Sequence, residues 1–286
     1  MITARSIDEA RAALATARMH GAKIGFVPTM GFLHEGHLSL IDEARASGAT
    51  FIAVSIFVNP LQFGPAEDFE KYPRDEVRDA ELLEARGVDL LFLPSVAEMY
   101  PAGASTVVKA GAVAEPLEGE RRPGHFDGVA TIVLKLFNIV QPDIAAFGRK
   151  DAQQCAVIAA MVRDLDVPVQ LLCGETIRDD DGLAKSSRNT YLSPEDRKRA
   201  PALHRALRAG EEALRHGVDD VAAIELLMRK MAAETDGVEV DYLALVDPET
   251  FRAPLDMHRE LLLAGAVRIG KTRLIDNIVV PRRALP

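Results

Sequence analysis

The sequence predicts an α/β protein with a Rossmann-like, doubly wound parallel sheet followed by a smaller C-terminal α+β domain. Short apolar runs alternate with helical stretches as far as about residue 175, which is the pattern of a parallel sheet with helices on both faces. Beyond that point, two helical stretches precede three strand-like runs. A chain of 286 residues typically forms about two domains. We therefore predict a first domain over residues 1–176 and a second over residues 177–286.

The individual elements follow from runs of β-branched and aromatic residues and from apolar residues at helical spacing. In the first domain we predict strands at 23–27, 50–57, 88–93, 144–147 and 167–172. The helix predicted at 127–140 carries an apolar stripe of Val129, Ile132, Val133, Leu136 and Val140, and another helix, at 151–165, opens with Asp151. In the second domain we predict helices at 194–217 and 218–235 and strands at 238–246, 260–269 and 272–280.

Composition indicates a cytoplasmic enzyme without a nucleic-acid or membrane partner. Lys and Arg number 34 against 43 Asp and Glu, a net charge of −9, which argues against a nonspecific nucleic-acid surface. No apolar run approaches the ~20 residues of a membrane-spanning helix, and residues 1–23 lack the apolar core of a signal peptide. Cys155 and Cys173 have no metal-ligand spacing, and we expect buried thiols in a reducing compartment.

The segment 29–37, TMGFLHEGH, follows the first predicted strand and leads into a helix. Helix N-termini present unpaired N–H groups and the positive end of the helix dipole, which suits phosphate. His34 and His37 share one side of the first turn, so both imidazoles could donate to oxygens of one polyphosphate. A zinc site would need a third protein ligand, and none stands nearby at metal-ligand spacing. Histidines satisfied by the local backbone are a further alternative. The HEGH pattern resembles the HIGH motif of the nucleotidyltransferase superfamily.

Three further polar segments follow predicted strands or the predicted domain junction. Asn59 and Gln62 emerge at a strand's carboxyl end, where open α/β sheets bind ligands, although an ordinary Asn-Pro turn is the alternative. Lys150 opens a helix and could contact phosphate oxygens, or it is a solvated lysine at a helix cap. Of Gln153 and Gln154, at most one should face the cleft. The loop 181–189, DGLAKSSRN, supplies two hydroxyls and a guanidinium, as a triphosphate clamp would, or it is a solvated linker.

The segment 265–272, GAVRIGKT, matches the G-x-x-x-x-G-K-[ST] pattern of phosphate-binding P-loops. That mechanism needs a strand before the loop and a helix after it. Here the loop would continue an apolar run, and residues 273–280 have the composition of a strand before Pro281. We therefore predict a hairpin turn at 269–272 and place the nucleotide site elsewhere.

Taken together, these motifs resemble those of the pantothenate synthetase family, the pantoate–β-alanine ligases, over essentially the whole chain. They are PTMGFLHEGH (28–37), SIFVNPLQFG (55–64), YPR (72–74), GRKDAQQ (148–154), DGLAKSSRNTYL (181–192) and TRLIDNI (272–278). The resemblance implies a ligase that joins pantoate to ATP as pantoyl adenylate, releasing pyrophosphate, and then lets β-alanine displace AMP. It also implies a homodimer, and Mg²⁺ bound mainly through ATP phosphates rather than at a protein metal site.

The resemblance also implies residue roles. His37 takes the family's proton-donor position, His34 and Lys150 are further catalytic groups, and Gln62 and Gln154 hold pantoate. Contacts to ATP carry over to Met30, Gly31, Phe32, Leu33, His34, Glu35, Gly36, His37, Gly148, Arg149, Lys150, Asp151, Ile177, Lys185, Ser186, Ser187 and Arg188.

Two positions depart from the family pattern. Arg149 stands where the family usually has an acidic residue, and Lys185 where it usually has Met or Leu. Facing the triphosphate, these cations would tighten ATP binding, whereas in solvent they would have little effect. Two rival hypotheses share the fold: a nucleotidyltransferase that acts on a phosphorylated ligand, and an adenylate sensor that binds ATP without turnover.

Overall fold

The structure, a computed structural model, describes residues 1–65 and 67–281. The chain forms two compact units, one made of Met1–Arg149 with Val157–Glu175 and the other of Lys150–Ala156 with Thr176–Pro286. The boundary after Glu175 lies one residue from the predicted division. Residues 150–156, predicted in the first domain, group with the second unit instead. The assignment of the two units as separate domains stays a prediction.

Within the described residues, the first unit contains a six-stranded sheet in which every pair is parallel. Its strands are β1 (Ile2–Ala4), β2 (Ile24–Thr29), β3 (Phe51–Ile56), β4 (Leu90–Phe92), β5 (Ile144–Gly148) and β6 (Gln170–Gly174). The short strand β1, which pairs with β4, is absent from the prediction because three residues are too few to show periodicity. The other strands lie where the apolar runs predict them, with ends displaced by up to three residues.

The strand order is β1-β4-β3-β2-β5-β6. The chain therefore runs outward from β2 to β3 and β4 on one side, and through β5 to β6 on the other. The order reverses between β2 and β5, which pair directly. In open α/β sheets, ligands bind outside the carboxyl ends of the strands at such a switch point. This topology confirms the predicted Rossmann-like, doubly wound sheet and places the ends of β2 and β5 side by side.

Helices cover the sheet and follow the predicted apolar stripes. The longest, α6, buries all five residues of its predicted stripe. On α2, Leu38 and Ile41 join a core cluster with Val27 and Val54 of the sheet, while α6 packs with α1 and also contacts β2. The helices before β6 are α1 (Ile7–Met19), α2 (Glu35–Ala46), α3 (Glu76–Ala85), α4 (Val96–Met99), α5 (Glu118–Arg121), α6 (His125–Val140) and α7 (Ala152–Asp164).

The second unit has a three-stranded antiparallel sheet, counted over the residues that the structure describes, with the order β7-β8-β9. Its elements are α8 (Pro194–Arg199), α9 (Ala202–Arg215), α10 (Val221–Ala233), β7 (Val238–Val246), β8 (Leu261–Ile269) and β9 (Thr272–Val280). The single helix predicted at 194–217 was wrong, because the chain breaks at Ala200 and Pro201 between α8 and α9. Proline cannot donate the backbone hydrogen bond that would continue a helix.

Strands β8 and β9 form a hairpin whose last paired residues are Ile269 and Thr272. Gly270, with a φ of +57°, and Lys271 form the turn. Since the segment after Lys271 is a strand, the helix that a P-loop needs is replaced by β9, and the predicted hairpin is confirmed.

Two further expectations from composition have different outcomes. Over residues 1–65 and 67–281, no helix is long and apolar enough to cross a membrane. The expectation of two buried thiols was wrong, because Cys155 is half-buried and Cys173 is exposed. Cys173 lies on β6, the last strand in the sheet order, where one side chain in two faces away from the core.

Candidate active site

Residues 30–37, here called the histidine loop, connect β2 to α2 at the switch point. Gly31 has a φ of +86°, and a Cβ there would lie 2.8 Å from Ile56 Cγ2, so the turn requires glycine. The loop is anchored by Asp79 of α3, whose carboxylate accepts from the N–H of Phe32 at 2.7 Å and of Leu33 at 2.8 Å. Asp79 is only 1% exposed. Burial raises its pKa, and the two N–H donors partly offset that shift.

These bonds bear on how the histidine loop can bind phosphate. The N–H groups of Phe32 and Leu33 are engaged by Asp79, and the N–H of Gly31 donates to Thr29 Oγ1 at 3.2 Å. Glu35 directs its carboxylate to Arg86 at 2.9 Å. Contact of these residues with ATP stays a prediction, and contact through the N–H groups of Gly31, Phe32 and Leu33 would require them to exchange partners.

His34 and His37 cap the start of α2 with their side chains. Gly36 N–H donates to His34 Nδ1 at 3.1 Å, and His34 N–H donates to His37 Nδ1 at 3.3 Å. Since both Nδ1 atoms accept, each neutral ring carries its proton on Nε2. The ring centroids lie 4.1 Å apart. The expectation that local backbone satisfies these histidines therefore holds for Nδ1.

Gln62 lies beside the histidine loop, as predicted. It is 8% exposed, and its Nε2 lies 3.2 Å from Met30 Sδ. Its Oε1 accepts from Asn59 Nδ2 at 3.0 Å, and Tyr100 OH donates to Asn59 Oδ1 at 2.7 Å. Burial raises the pKa of Tyr100 to about 12, so its hydroxyl stays a donor. This chain of bonds fixes the Gln62 amide with its NH₂ group toward Met30.

A second network fixes the backbone of Gln62. His125 Nδ1 donates to Gln62 O at 2.8 Å, and its Nε2 accepts from Arg122 Nη1 at 3.0 Å. Arg122 also forms two bonds to the Glu67 carboxylate, at 2.7 and 2.8 Å. Burial, and then the charge of Arg122, lower the pKa of His125 to about 4. Burial opposes ionisation of Glu67, but Arg122 outweighs it and holds the pKa below its ordinary value.

Sequence reasoning placed Asn59 at a strand's carboxyl end but missed Asp79, Tyr100 and this second network as parts of the site. Asp79 and Tyr100 carry no local motif, because an acidic residue on a helix and a lone tyrosine are common. Arg122 and His125 did leave a signal. They flank Gly124 in the polar stretch RRPGH, directly before the apolar helix α6.

In the second unit, Lys150 lies in the short helical turn Arg149–Asp151 that opens α7. Asn277 Nδ2 donates to Lys150 O at 2.9 Å, and Lys150 Nζ lies 3.9 Å from Asp151 Oδ1. Gln153 is buried and Gln154 half-buried, which agrees with the expectation that at most one of them faces a cleft.

The predicted clamp loop, residues 181–189, is held by contacts with Ile177 and Arg178 of the same unit. Lys185 N–H donates to Ile177 O at 2.9 Å, and Arg178 pairs with buried Asp276 at 2.6 Å. Ser186 caps a short helical turn (Ser187–Tyr191) by accepting from Arg188 N–H at 3.3 Å.

Both residues that depart from the family pattern form ion pairs with acidic residues. Arg149 pairs with Glu175 at 2.8 Å and donates to Cys173 O at 3.1 Å. Lys185 Nζ forms an ion pair with Asp179. Because each added cation is largely neutralised by its neighbour, we expect both departures to change ATP binding little.

All of the predicted site residues therefore fall into two groups, one in each unit. One, at the switch point of the first unit, comprises Met30, Gly31, Phe32, Leu33, His34, Glu35, Gly36, His37 and Gln62, with Gly148 and Arg149 at the end of adjacent β5. The other, within the second unit, comprises Lys150, Asp151, Gln154, Ile177, Lys185, Ser186, Ser187 and Arg188. In the described part of the chain, no group of three or more His, Cys, Asp or Glu side chains could hold a metal ion.

The doubly wound sheet, with paired histidines after β2, defines an α/β protein whose histidine motif resembles that of nucleotidyltransferases. The family model for pantoate-beta-alanine ligase matches residues 2–279, and the chain belongs to that family. A pantothenate synthetase of Herpetosiphon aurantiacus is 54% identical over 276 residues, covering 96% of this chain and 98% of the relative. One from Moorella thermoacetica is 50% identical, covering 96% and 97%.

Solved structures agree with these relatives. Pantothenate synthetase from Thermus thermophilus superposes with a TM-score of 0.93 at 48% identity, covering 98% of this chain and 100% of that one. The pantoate-beta-alanine ligase of Francisella tularensis, solved as a complex with beta-gamma ATP and beta-alanine, has a TM-score of 0.81 at 34% identity, covering 98% and 97%. The resemblance drawn from the motifs and the predicted fold are both confirmed.

Proposed function

We propose that this ligase condenses pantoate with β-alanine through a pantoyl adenylate intermediate, giving pantothenate, AMP and pyrophosphate. The observation that carries the proposal is the histidine pair at the switch point of a chain that matches the family over residues 2–279, with Nδ1 of both rings accepting a backbone N–H. The rival adenylate sensor would have no use for donors placed to follow charge during a reaction.

In the first step, a carboxylate oxygen of pantoate attacks the α-phosphorus of ATP. The bond from the α-phosphorus to the bridging oxygen breaks, and pyrophosphate leaves with the electron pair. Because an anion attacks a polyanion, electrostatic stabilisation of the transition state is the main requirement. His34 and His37 supply donors for charge that develops on phosphate oxygens, and His37 is the proton donor.

In the second step, the amine of β-alanine attacks the acyl carbon of pantoyl adenylate. The bond from the acyl carbon to the phosphate oxygen breaks, AMP leaves and the amine gives up a proton. Gln62 and Gln154 hold pantoate through its hydroxyl and carboxylate oxygens. A neutral amide suits this role because it offers a donor and an acceptor without adding charge.

The residues of the second group other than Gln154 serve ATP. Lys150 provides a cation that follows charge onto the departing pyrophosphate, and Ser186, Ser187 and Arg188 contact the phosphates. Ile177 meets the adenine region through backbone and apolar contact. The remaining proposed contacts with ATP are made by the histidine loop and by Gly148, Arg149, Asp151 and Lys185.

Magnesium would be held mainly by the phosphates of ATP. Mg²⁺ commonly binds through phosphates with few protein ligands. When bound, it neutralises phosphate charge. We further propose a cytoplasmic homodimer, for which light scattering on the purified chain should give twice its mass of 31.1 kDa.

The deciding experiment measures AMP and pyrophosphate release from ATP with pantoate and β-alanine, together and singly. We expect pyrophosphate release with pantoate alone to stop near one equivalent per site, and AMP release to require both substrates. Turnover with a phosphorylated acceptor in place of pantoate would support the rival nucleotidyltransferase. ATP binding without any release would support the sensor.

A further inference from the structure

Asp276 and Asn277 are adjacent polar residues on β9, each only 5% exposed. Burying polar groups costs free energy unless they form hydrogen bonds. Their partners lie in two segments of the second unit: Asp276 binds Arg178, next to Ile177, and Asn277 binds Lys150.

Asn277 reaches the Lys150 segment. Its Nδ2 donates to Lys150 O at 2.9 Å, across 127 positions of sequence. Its own N–H donates to Asp276 Oδ1 at 2.8 Å, and its backbone O accepts from Arg178 Nη2 at 3.2 Å. Because Nδ2 binds the carbonyl of Lys150, it fixes the peptide plane from which the lysine side chain projects.

Asp276 reaches the second segment. Its carboxylate receives both Nη atoms of Arg178, at 2.6 and 2.9 Å, a two-point contact that restricts orientation as well as distance. Arg178 Nη1 also donates to Gly182 O at 3.1 Å, closing the turn before Lys185. One pair of residues on β9 therefore ties both ATP-binding segments of this unit to the same strand.

We propose that Asn277 is a positioning residue for adenylation, acting through its Nδ2 bond to Lys150 O. This inference rests on the proposed function, since it gives Lys150 a role at the departing pyrophosphate. Asn277 does not touch substrate. It holds the main chain of Lys150 so that the ammonium group meets the phosphates, and without it the lysine remains present but displaced.

Two variants remove the Nδ2 donor of Asn277, one without adding a charge and one with an added charge. Asn277→Leu keeps a similar shape without charge, and Asn277→Asp keeps the shape but adds a negative charge. Thr272→Val is the matched control, because Thr272 is a polar residue on the same strand with the same 5% exposure. Each variant is assayed in two half-reactions: pyrophosphate release from ATP and pantoate, and AMP release from prepared pantoyl adenylate with β-alanine.

We expect both Asn277 variants to lower kcat for pyrophosphate release about 10- to 100-fold, since displacement of a reacting group by about 1 Å can cost that much. AMP release from pantoyl adenylate should stay within about twofold of wild type, because that step has no pyrophosphate leaving group. In a Lys150→Ala background, Asn277→Leu should cause no further loss, as expected for residues acting as one unit.

A structural role alone would lower both half-reactions together with the unfolding midpoint, and that result would overturn the inference. Normal adenylation by both Asn277 variants, with Lys150→Ala defective, would overturn it while leaving the proposed function intact. Wild-type protein that releases no pyrophosphate with pantoate would instead contradict the proposed function itself.

Discussion

His34 and His37 derive their chemistry from the backbone around them. Each ring uses Nδ1 to accept a backbone N–H at the start of α2, which puts the proton of the neutral ring on Nε2. A donor fixed before the reaction loses little to reorganisation in the transition state. The caps therefore stabilise α2 and set the tautomer that the proposed mechanism needs.

We predict that His37→Ala lowers turnover in pantoate-dependent pyrophosphate release about 100- to 1,000-fold, the usual cost of losing one such donor. His20→Ala is the control, because His20 also contacts its own helix, through Nδ1 and Thr16 O, but is exposed on α1. Near-normal release by His37→Ala would remove this residue from the mechanism.

Substitution of Gln62 or Gln154 should weaken the binding of pantoate rather than the binding of ATP. Replacing either with Ala leaves substrate oxygens or hydroxyls unpaired, at about 1–3 kcal/mol per group, so we expect pantoate KM to rise about 10- to 100-fold. The ATP affinity, measured by calorimetry, should change little, and Gln170→Ala on exposed β6 should change neither. An equal fall in ATP affinity would move these residues into the nucleotide site.

At the scale of elements, α3 holds the histidine loop through one carboxylate. Asp79→Ala leaves the N–H groups of Phe32 and Leu33 without their acceptor, and each unsatisfied buried donor costs about 1–3 kcal/mol. We predict a loss of this order in the free energy of unfolding by urea, together with slower adenylation. Glu81→Ala removes the same charge from an exposed position of α3 and should leave both unchanged. Equal stability losses in the two variants would contradict the anchoring role.

The β8–β9 hairpin separates two lysines that the sequence makes easy to confuse. Lys271 lies in the turn of the hairpin, whereas Lys150 opens α7 and is held by Asn277. We predict that Lys150→Ala loses most of the adenylation rate and that Lys271→Ala loses very little. Pyrophosphate release at saturating ATP decides between them, and a severe defect in Lys271→Ala with Lys150→Ala tolerated would overturn our placement of the site.

For the whole molecule, burial of neutral His125 makes stability depend on pH. Its pKa falls from an ordinary 6.5 to about 4 on folding, so between these values the unfolded chain binds a proton that the folded chain does not. The stabilisation is therefore present above pH 6.5 and is lost as pH falls toward 4. The loss is about 3.5 kcal/mol at most, at about 1.4 kcal/mol per pKa unit over the shift from 6.5 to about 4.

The measurement is the free energy of unfolding at a series of pH values between about 7 and 4, which span the shift, compared among variants. His125→Asn keeps a donor for Gln62 O but cannot titrate, so the advantage of wild type over it should shrink as pH falls. His258→Asn, at an exposed histidine, should show the wild-type slope. Parallel curves for wild type and His125→Asn would show that His125 does not titrate as inferred.

Periodicity and turn chemistry in the sequence were enough to predict the parallel sheet, the stripe of α6 and the β8–β9 hairpin, because each depends on residues within one short window. The histidine motif likewise predicted a helix start with two rings on one face. Where a local rule was overlooked, at Pro201, the helix prediction was wrong.

Only the tertiary structure decided what holds these elements in place. Asp79 anchors Leu33 from 46 positions away, His125 binds Gln62 from 63, and Asn277 binds Lys150 from 127. No window of sequence contains both partners of such a bond. The sequence by itself therefore determined the family, the fold and the groups available for chemistry. Which backbone atoms those groups fix depends on segments that become neighbours only when the chain folds.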